Sequence, residues 1–148
     1  MLCVHGSKHL WERLIWVCDI AEVIRVHHQM DWDLLMQNAS KTGAERMLLV
    51  GLLIAHTLLD APVPASILRQ AQANNAVRSL TTHVCNILLL DDVDSDRVIN
   101  DAPLFYLTMM ERIQDRARLL LRFYPSMLHP IRAVRKYGMR PLQHLLGL

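Results

Sequence analysis

The chain has 148 residues, 52% of them apolar and 20% charged, with 5 glycines, 6 prolines and a formal net charge of +2. This suits one domain spanning residues 1–148 with a real core, and excludes a disordered or collagen-like chain. The longest nearly uncharged run, Met47 to Leu59, is 13 residues, short of the roughly 20 that a bilayer-spanning helix needs.

Periodicity places a first helix from about Cys3 to His27. Asp31 opens a second, with Trp32, Leu35, Met36 and Ala39 as its apolar stripe and Gly43 as its stop. A third runs from Ala44 to Leu59 and reads as the central buried helix. It ends before Pro62 and Pro64, which cannot continue it. Pro64 suits the first turn of a fourth helix, reaching about Asn74, and a fifth covers about Asn75 to Leu90. An acidic loop follows, Asp91-Asp92-Val93-Asp94-Ser95-Asp96. A long sixth helix begins near Pro103, with Tyr106, Met110, Ile113, Ala117, Leu120 and Tyr124 recurring every three or four residues. Pro125 ends it, and Pro130 and Pro141 punctuate short terminal helices. Strand alternation is absent. The expected fold is all-α, a compact array of about six to eight helices with short loops.

The first helix carries an inventory that a core helix does not need. On a continuous helix His5, His9, Glu12, Trp16 and Asp19 fall at spacings of four, three, four and three and form one stripe. Leu10, Leu14, Val17, Cys18, Ala21 and Ile24 fall mostly on the other side, where they can be buried. The rich face reads in three ways. It is a solvated polar face with one exposed indole, a docking surface anchored by Trp16 and Arg13, or a metal site using His5 and His9. The metal reading is disfavoured, because Gly6 stands where a zinc-protease motif has Glu and no third ligand has a diagnostic spacing. No metal ligand set is expected.

The segment Leu2, Cys3, His5, Gly6, Lys8, His9, Trp11, Arg13, Leu14, Trp16 and Asp19 resembles the start of the helical C-terminal region in a group of bacterial nucleotidyltransferase-family proteins. Gly43-Ala44-Glu45-Arg46-Met47-Leu48-Leu49 and Asp115-Arg116-Ala117-Arg118-Leu119-Leu120-Leu121-Arg122 extend the resemblance along the chain. In that family a Gly-Ser and an Asp-x-Asp pair in an upstream α/β domain hold the metal and the nucleotide phosphates. The resemblance therefore implies a fragment, the C-terminal part of a longer protein, without catalytic residues of its own. A nucleoside triphosphate and Mg would belong to the parent, and no cofactor to this chain. The implied partner is the missing or separately encoded catalytic domain. His5, Lys8, His9, Glu12, Arg13, Trp16 and Asp19 are the residues expected to face that domain or its substrate.

Two sequences imitate the catalytic motif and fail. Gly6-Ser7 precedes Asp19, but position 21 is Ala. The acidic loop offers Asp-x-Asp with no Gly-Ser before it. As a calcium loop it puts Arg97 where Gly is needed and Pro103 where Glu is needed.

The three cysteines, Cys3, Cys18 and Cys85, show no metal or redox spacing, and no secretion signal is evident. Both fit reduced thiols in a cytoplasmic protein. Charge is unevenly placed: residues 1–111 hold eight Lys/Arg against thirteen Asp/Glu, and residues 112–148 hold eight against Asp115 alone. No aromatic interleaving accompanies the basic end, so neither nucleic acid nor membrane is an expected partner. Apolar surface left by an absent neighbour would favour a homodimer. Two alternative functions are a non-catalytic interaction module and a small helical nuclease of the Arg-x4-His type. In the second, Arg78 would hold the phosphate and His83 would exchange the proton.

Overall fold

Proline, glycine and short polar side chains set most of the helix boundaries. The structure, a computed structural model, describes residues 2–89 and 103–127. Among the described residues there are eight helices and no strand: α1 (Leu2–Lys8), α2 (Leu14–Val26), α3 (Trp32–Thr42), α4 (Glu45–Leu59), α5 (Ala65–Ala73), α6 (Asn75–Leu89), α7 (103–109) and α8 (Ile113–Met127). The chain is all-α, as its periodicity implies. It divides into two compact units, Met1–Arg112 and Ile113–Leu148. The acidic loop at 91–96 and the expected terminal helices at Pro130 and Pro141 lie outside the described residues.

In the first unit α4 is the axis. Its residues Leu48 to Ala55 are buried without interruption, and α1, α2, α3, α5 and α6 all pack on it. The ends are well explained. The Asp31 carboxylate accepts the Leu34 N–H at 2.9 Å, capping α3, and Gly43 stops that helix at φ +72°. α4 stops on Asp60 at φ +51°, a residue type that tolerates the left-handed region. Between α5 and α6 the Asn74 side-chain oxygen accepts from Ala76 N–H at 3.0 Å and Val77 N–H at 3.2 Å. One residue thus ends one helix and caps the next.

Three arginines close helix C-termini, where carbonyls lack intrahelical partners and the dipole favours a cation. Arg25 donates to the Leu59 carbonyl at the end of α4. Arg46 donates to the Thr108 and Met110 carbonyls past α7. Arg112 donates to the Ser40 and Lys41 carbonyls of α3.

The expected first helix is instead two. Its chain leaves the helix after Lys8 and re-enters at Leu14. Leu10 and Trp11 both take φ +56°, Trp11 N–H donates to the Gly6 carbonyl at 2.9 Å and Leu10 N–H to the Ser7 carbonyl at 3.4 Å. This is a Schellman closure with leucine at the position where glycine is usual. The cause is Trp11, which is fully buried. Its ring lies so close to Gly6 that a Cβ there would stand 2.6 Å from it. On the other side a Cβ on Gly51 of α4 would stand 2.9 Å from the ring and 2.7 Å from Cys3 Sγ. The indole occupies a slot that two glycines leave open.

The expected sixth helix is also two, α7 and α8, parted at residues 110–112. Arg46 takes up the carbonyls of Thr108 and Met110 on one side of the break, and the Arg112 side chain turns to α3. Pro125 does not end α8, which runs to Met127. In the second unit, α8 exposes Ile113, Leu120 and Leu121 and joins Arg118 to Asp115 at 3.1 Å.

Gly6→Ala and Gly51→Ala are each expected to destabilise the protein by about 1–3 kcal/mol through overpacking, although alanine is the better helix former. Trp11→Ala is expected to cost about 3–5 kcal/mol. Urea denaturation followed by circular dichroism measures all three, and an alanine at position 6 or 51 that stabilises would show that the indole is not clamped.

Burial pushes the Cys3 thiol up from 9.0 to about 12, so the fold keeps a proton that the unfolded chain sheds above about pH 9. The stability linked to that proton is present below pH 9 and is lost as pH rises towards 12. The melting temperature should accordingly decline from pH 9 upwards. Iodoacetamide at pH 8 should label Cys3 only after unfolding, as mass spectrometry of the digest would reveal.

Candidate functional site

The break after Lys8 decides what happens to the rich face. On a continuous helix His5 and Trp16 would stand three turns apart along the axis. The closure at residues 9–13 folds the start of α2 back beside α1 instead, and three rings meet. The His5 and His9 ring centroids are 4.7 Å apart, tilted by 50°. Trp16 lies 5.3 Å from His5 in an edge-to-face arrangement and 5.3 Å from His9 at 44°. Both histidines are exposed, while Trp16 is half-buried with one side against the core. Neither imidazole has a hydrogen-bond partner among the described residues.

The remaining stripe residues distribute around this cluster. Lys8 and Arg13 are exposed cations without side-chain partners among the described residues. The Lys8 carbonyl accepts the Tyr106 hydroxyl at 2.6 Å, which ties α7 to the end of α1. Partial burial, and then the charge of Glu12, raise the Tyr106 hydroxyl above its ordinary value and keep it a donor. Asp19 is exposed one turn beyond Trp16.

Of the residues expected to be buried on the other side, Val17, Ala21 and Ile24 are buried, joined by Ile20. Leu10 and Cys18 are only partly covered, and Leu14 is 45% exposed. The sequence reading missed three features. Trp11 is a core indole, fully buried. Tyr106 braces the site from a distant helix. The outward face of α2 is apolar, with Ile15 57%, Val26 60% and Val23 38% exposed. The last had a signal, since Ile15, Val23 and Val26 lie within about 80° of one another on a helix turning 100° per residue.

The alternative pair does not converge. Arg78 and His83 share α6 five residues apart, about 140° around the axis, whereas neighbours on a helix are three or four apart. Arg78 donates to the Asn75 side chain at 2.8 Å. His83 packs against Phe105 at 5.8 Å in a recess of about 200 Å³ that also includes Ser79, Leu80, Leu104 and Thr108. Among the described residues no three His, Cys, Asp or Glu side chains are grouped to hold an ion, and no helix is long and apolar enough to cross a membrane.

Incubated with single-stranded RNA, the purified protein is expected to leave it intact on a denaturing gel. Cleavage abolished by His83→Ala would revive the nuclease assignment.

Residues 1–60, which span α1 to α4 and the whole ring cluster, match the model of a family described as an uncharacterised nucleotidyltransferase. No curated protein and no solved structure matches the chain.

Proposed function

We propose that residues 1–112 are a helical accessory region of a nucleotidyltransferase-like protein, and that a catalytic domain covers the outward face of α2 together with the His5–His9–Trp16 cluster. The observation that carries this reading is that α2 is apolar on both sides. Val17, Ile20, Ala21 and Ile24 are buried against the rest of the unit, while Ile15, Val23 and Val26 face outward. A helix with apolar side chains on its solvent side as well as its core side has more to bury than its own unit covers, and exposed apolar side chains beside polar groups mark a contact surface. Asp19 and Glu22 stand exposed on the same side, Asp19 between Val26 and Val23, so the covering body must also supply donors to these carboxylates. The likeness of residues 1–60 to a nucleotidyltransferase family suggests what the covering body is.

In this arrangement the chain shapes a wall of the substrate cleft. Lys8 and Arg13, exposed and without side-chain partners among the described residues, are suited to meet phosphate oxygens as charge-assisted donors. The indole supplies a flat apolar contact. Nucleotidyl transfer needs carboxylates around Mg to neutralise developing charge. The described residues do not fit that ion, because they hold no such group. No chemical step is therefore assigned to them.

The test is co-expression with the nucleotidyltransferase catalytic domain encoded nearest this chain. Co-purification is expected, with Ile15→Asp and Trp16→Ala each lowering capture about tenfold or more while the melting temperature moves little. Capture that survives both substitutions, or substitutions that abolish the cooperative melt, would show that this face serves the fold rather than a partner.

A further inference from the structure

The ring cluster has a second capacity that does not depend on a docked domain. Two imidazoles that bind one ion present nitrogens about 2.0–2.1 Å from it, and so roughly 3 Å from each other. Ring centroids 4.7 Å apart satisfy that with small rotations about the side-chain bonds. The position of both rings is set by their surroundings. His9 N–H still donates to the His5 carbonyl at 3.3 Å, so the helical offset of four residues persists past the end of α1. The left-handed pair Leu10–Trp11 follows at once and is anchored in the core. Trp16 fills the space beside both imidazoles and limits their rotamers. Both rings are exposed, and among the described residues neither has a hydrogen bond that an ion would have to break.

We propose that His5 and His9 form a two-imidazole chelate for a divalent first-row transition ion such as Zn²⁺, Ni²⁺ or Cu²⁺. Neutral imidazole is a borderline donor that suits these ions, whereas Mg²⁺ and Ca²⁺ take oxygen ligands. The Cys3 thiol, turned inward beside Gly51 and held protonated by burial, is no third ligand. The ion therefore keeps open positions, filled by water or by an oxygen or nitrogen donor of another molecule. Such a site exchanges ligands, as catalytic and bridging ions do, and unlike closed structural zinc.

Calorimetric titration of the whole chain with Zn²⁺ near neutral pH should give one saturable site. His5→Ala and His9→Ala, both at exposed positions, should each weaken it by about tenfold or more, since even loss of an outer-shell partner costs that much. The double substitution of His27 and His28, a neighbouring pair at the end of α2, should leave it unchanged. Mg²⁺ should give no heat of binding. Cu²⁺ should quench the tryptophan fluorescence at the same stoichiometry, and Trp16→Phe should remove the quenching while retaining the affinity. Absence of a saturable Zn²⁺ site, an affinity indifferent to His5→Ala and His9→Ala, or loss of the site on changing His27 and His28 would each overturn the assignment. The ion alone is the probe, so the result is separable from failure to capture a catalytic domain.

Discussion

The contact on which the rest of the structure depends is the Trp11 indole between Gly6 and Gly51. It is the largest fully buried side chain, and it brings α1 against α4 at a separation that no side chain on either glycine would permit. It also bends the chain. To reach the slot, Leu10 and Trp11 enter the left-handed region at roughly 1–2 kcal/mol each. The indole N–H is buried without an acceptor among the described residues, at a further cost of about 1–3 kcal/mol. Removing a buried tryptophan typically costs about 3–5 kcal/mol, a sum of the same size. The turn is held by core packing and has little conformational preference of its own. The functional geometry is inherited from this contact, because the same turn places His9 beside His5 and swings Trp16 onto both.

Charge in the first unit divides by use. Arg25, Arg46 and Arg112 each satisfy carbonyls at the end of a helix to which they do not belong, fixing α2 to α4, α4 to α7 and residue 112 to α3. Such groups are locked by both sequence ends and contribute to the fold in proportion to how well they are sheltered. Lys8 and Arg13 have no such duty, though they flank the most elaborate surface of the molecule. Exposed cations beside aromatic rings, without side-chain partners among the described residues, are suited to an external anion or carboxylate.

Much of the helical order was legible because local chemistry and tertiary packing agree. Asp31 and Gly43 bracket α3, Pro62 and Pro64 separate α4 from α5, and Asn74 parts α5 from α6, each by a mechanism visible in the residue itself. The two helix breaks that the periodicity passes over share one physical origin. At Leu10–Trp11 and at residues 110–112 the chain breaks without glycine or proline, and the apolar period continues through the break. The stop is imposed from elsewhere, by the Gly51 slot in α4 in one case and by Arg46 of α4 in the other. Both are partners distant in sequence. Helical spacing puts His5, His9 and Trp16 along one face of a single helix. His5, His9 and Trp16 do meet, but across a turn and not along a single stripe, and the spacing argument could not distinguish the two. Trp16 lies on the side of α2 away from Val17 and Ala21 and is half-buried, whereas nothing local in the sequence marks Trp11 for the core.

The outward face of α2 and the ring cluster are parts of one surface. Going round the helix from Ile15, the next outward positions are Val26, Asp19 and Val23, and Trp16 closes the face before the buried Ile20 is reached. A body laid along Ile15 and Val26 therefore passes over the indole and the imidazoles at its end. Withdrawing apolar area from water contributes about 25 cal/mol per Å², but association also costs translational freedom and side-chain ordering, so the exposed parts of Ile15, Val23 and Val26 are one share of such a contact. The histidines and free cations then act as the part that discriminates, because imidazole and guanidinium are expensive to cover unless their hydrogen bonds are met. In the proposed contact, apolar area along α2 would contribute affinity and the polar rings at its head would set the condition for it; the turn that brings those rings together is held by the buried indole.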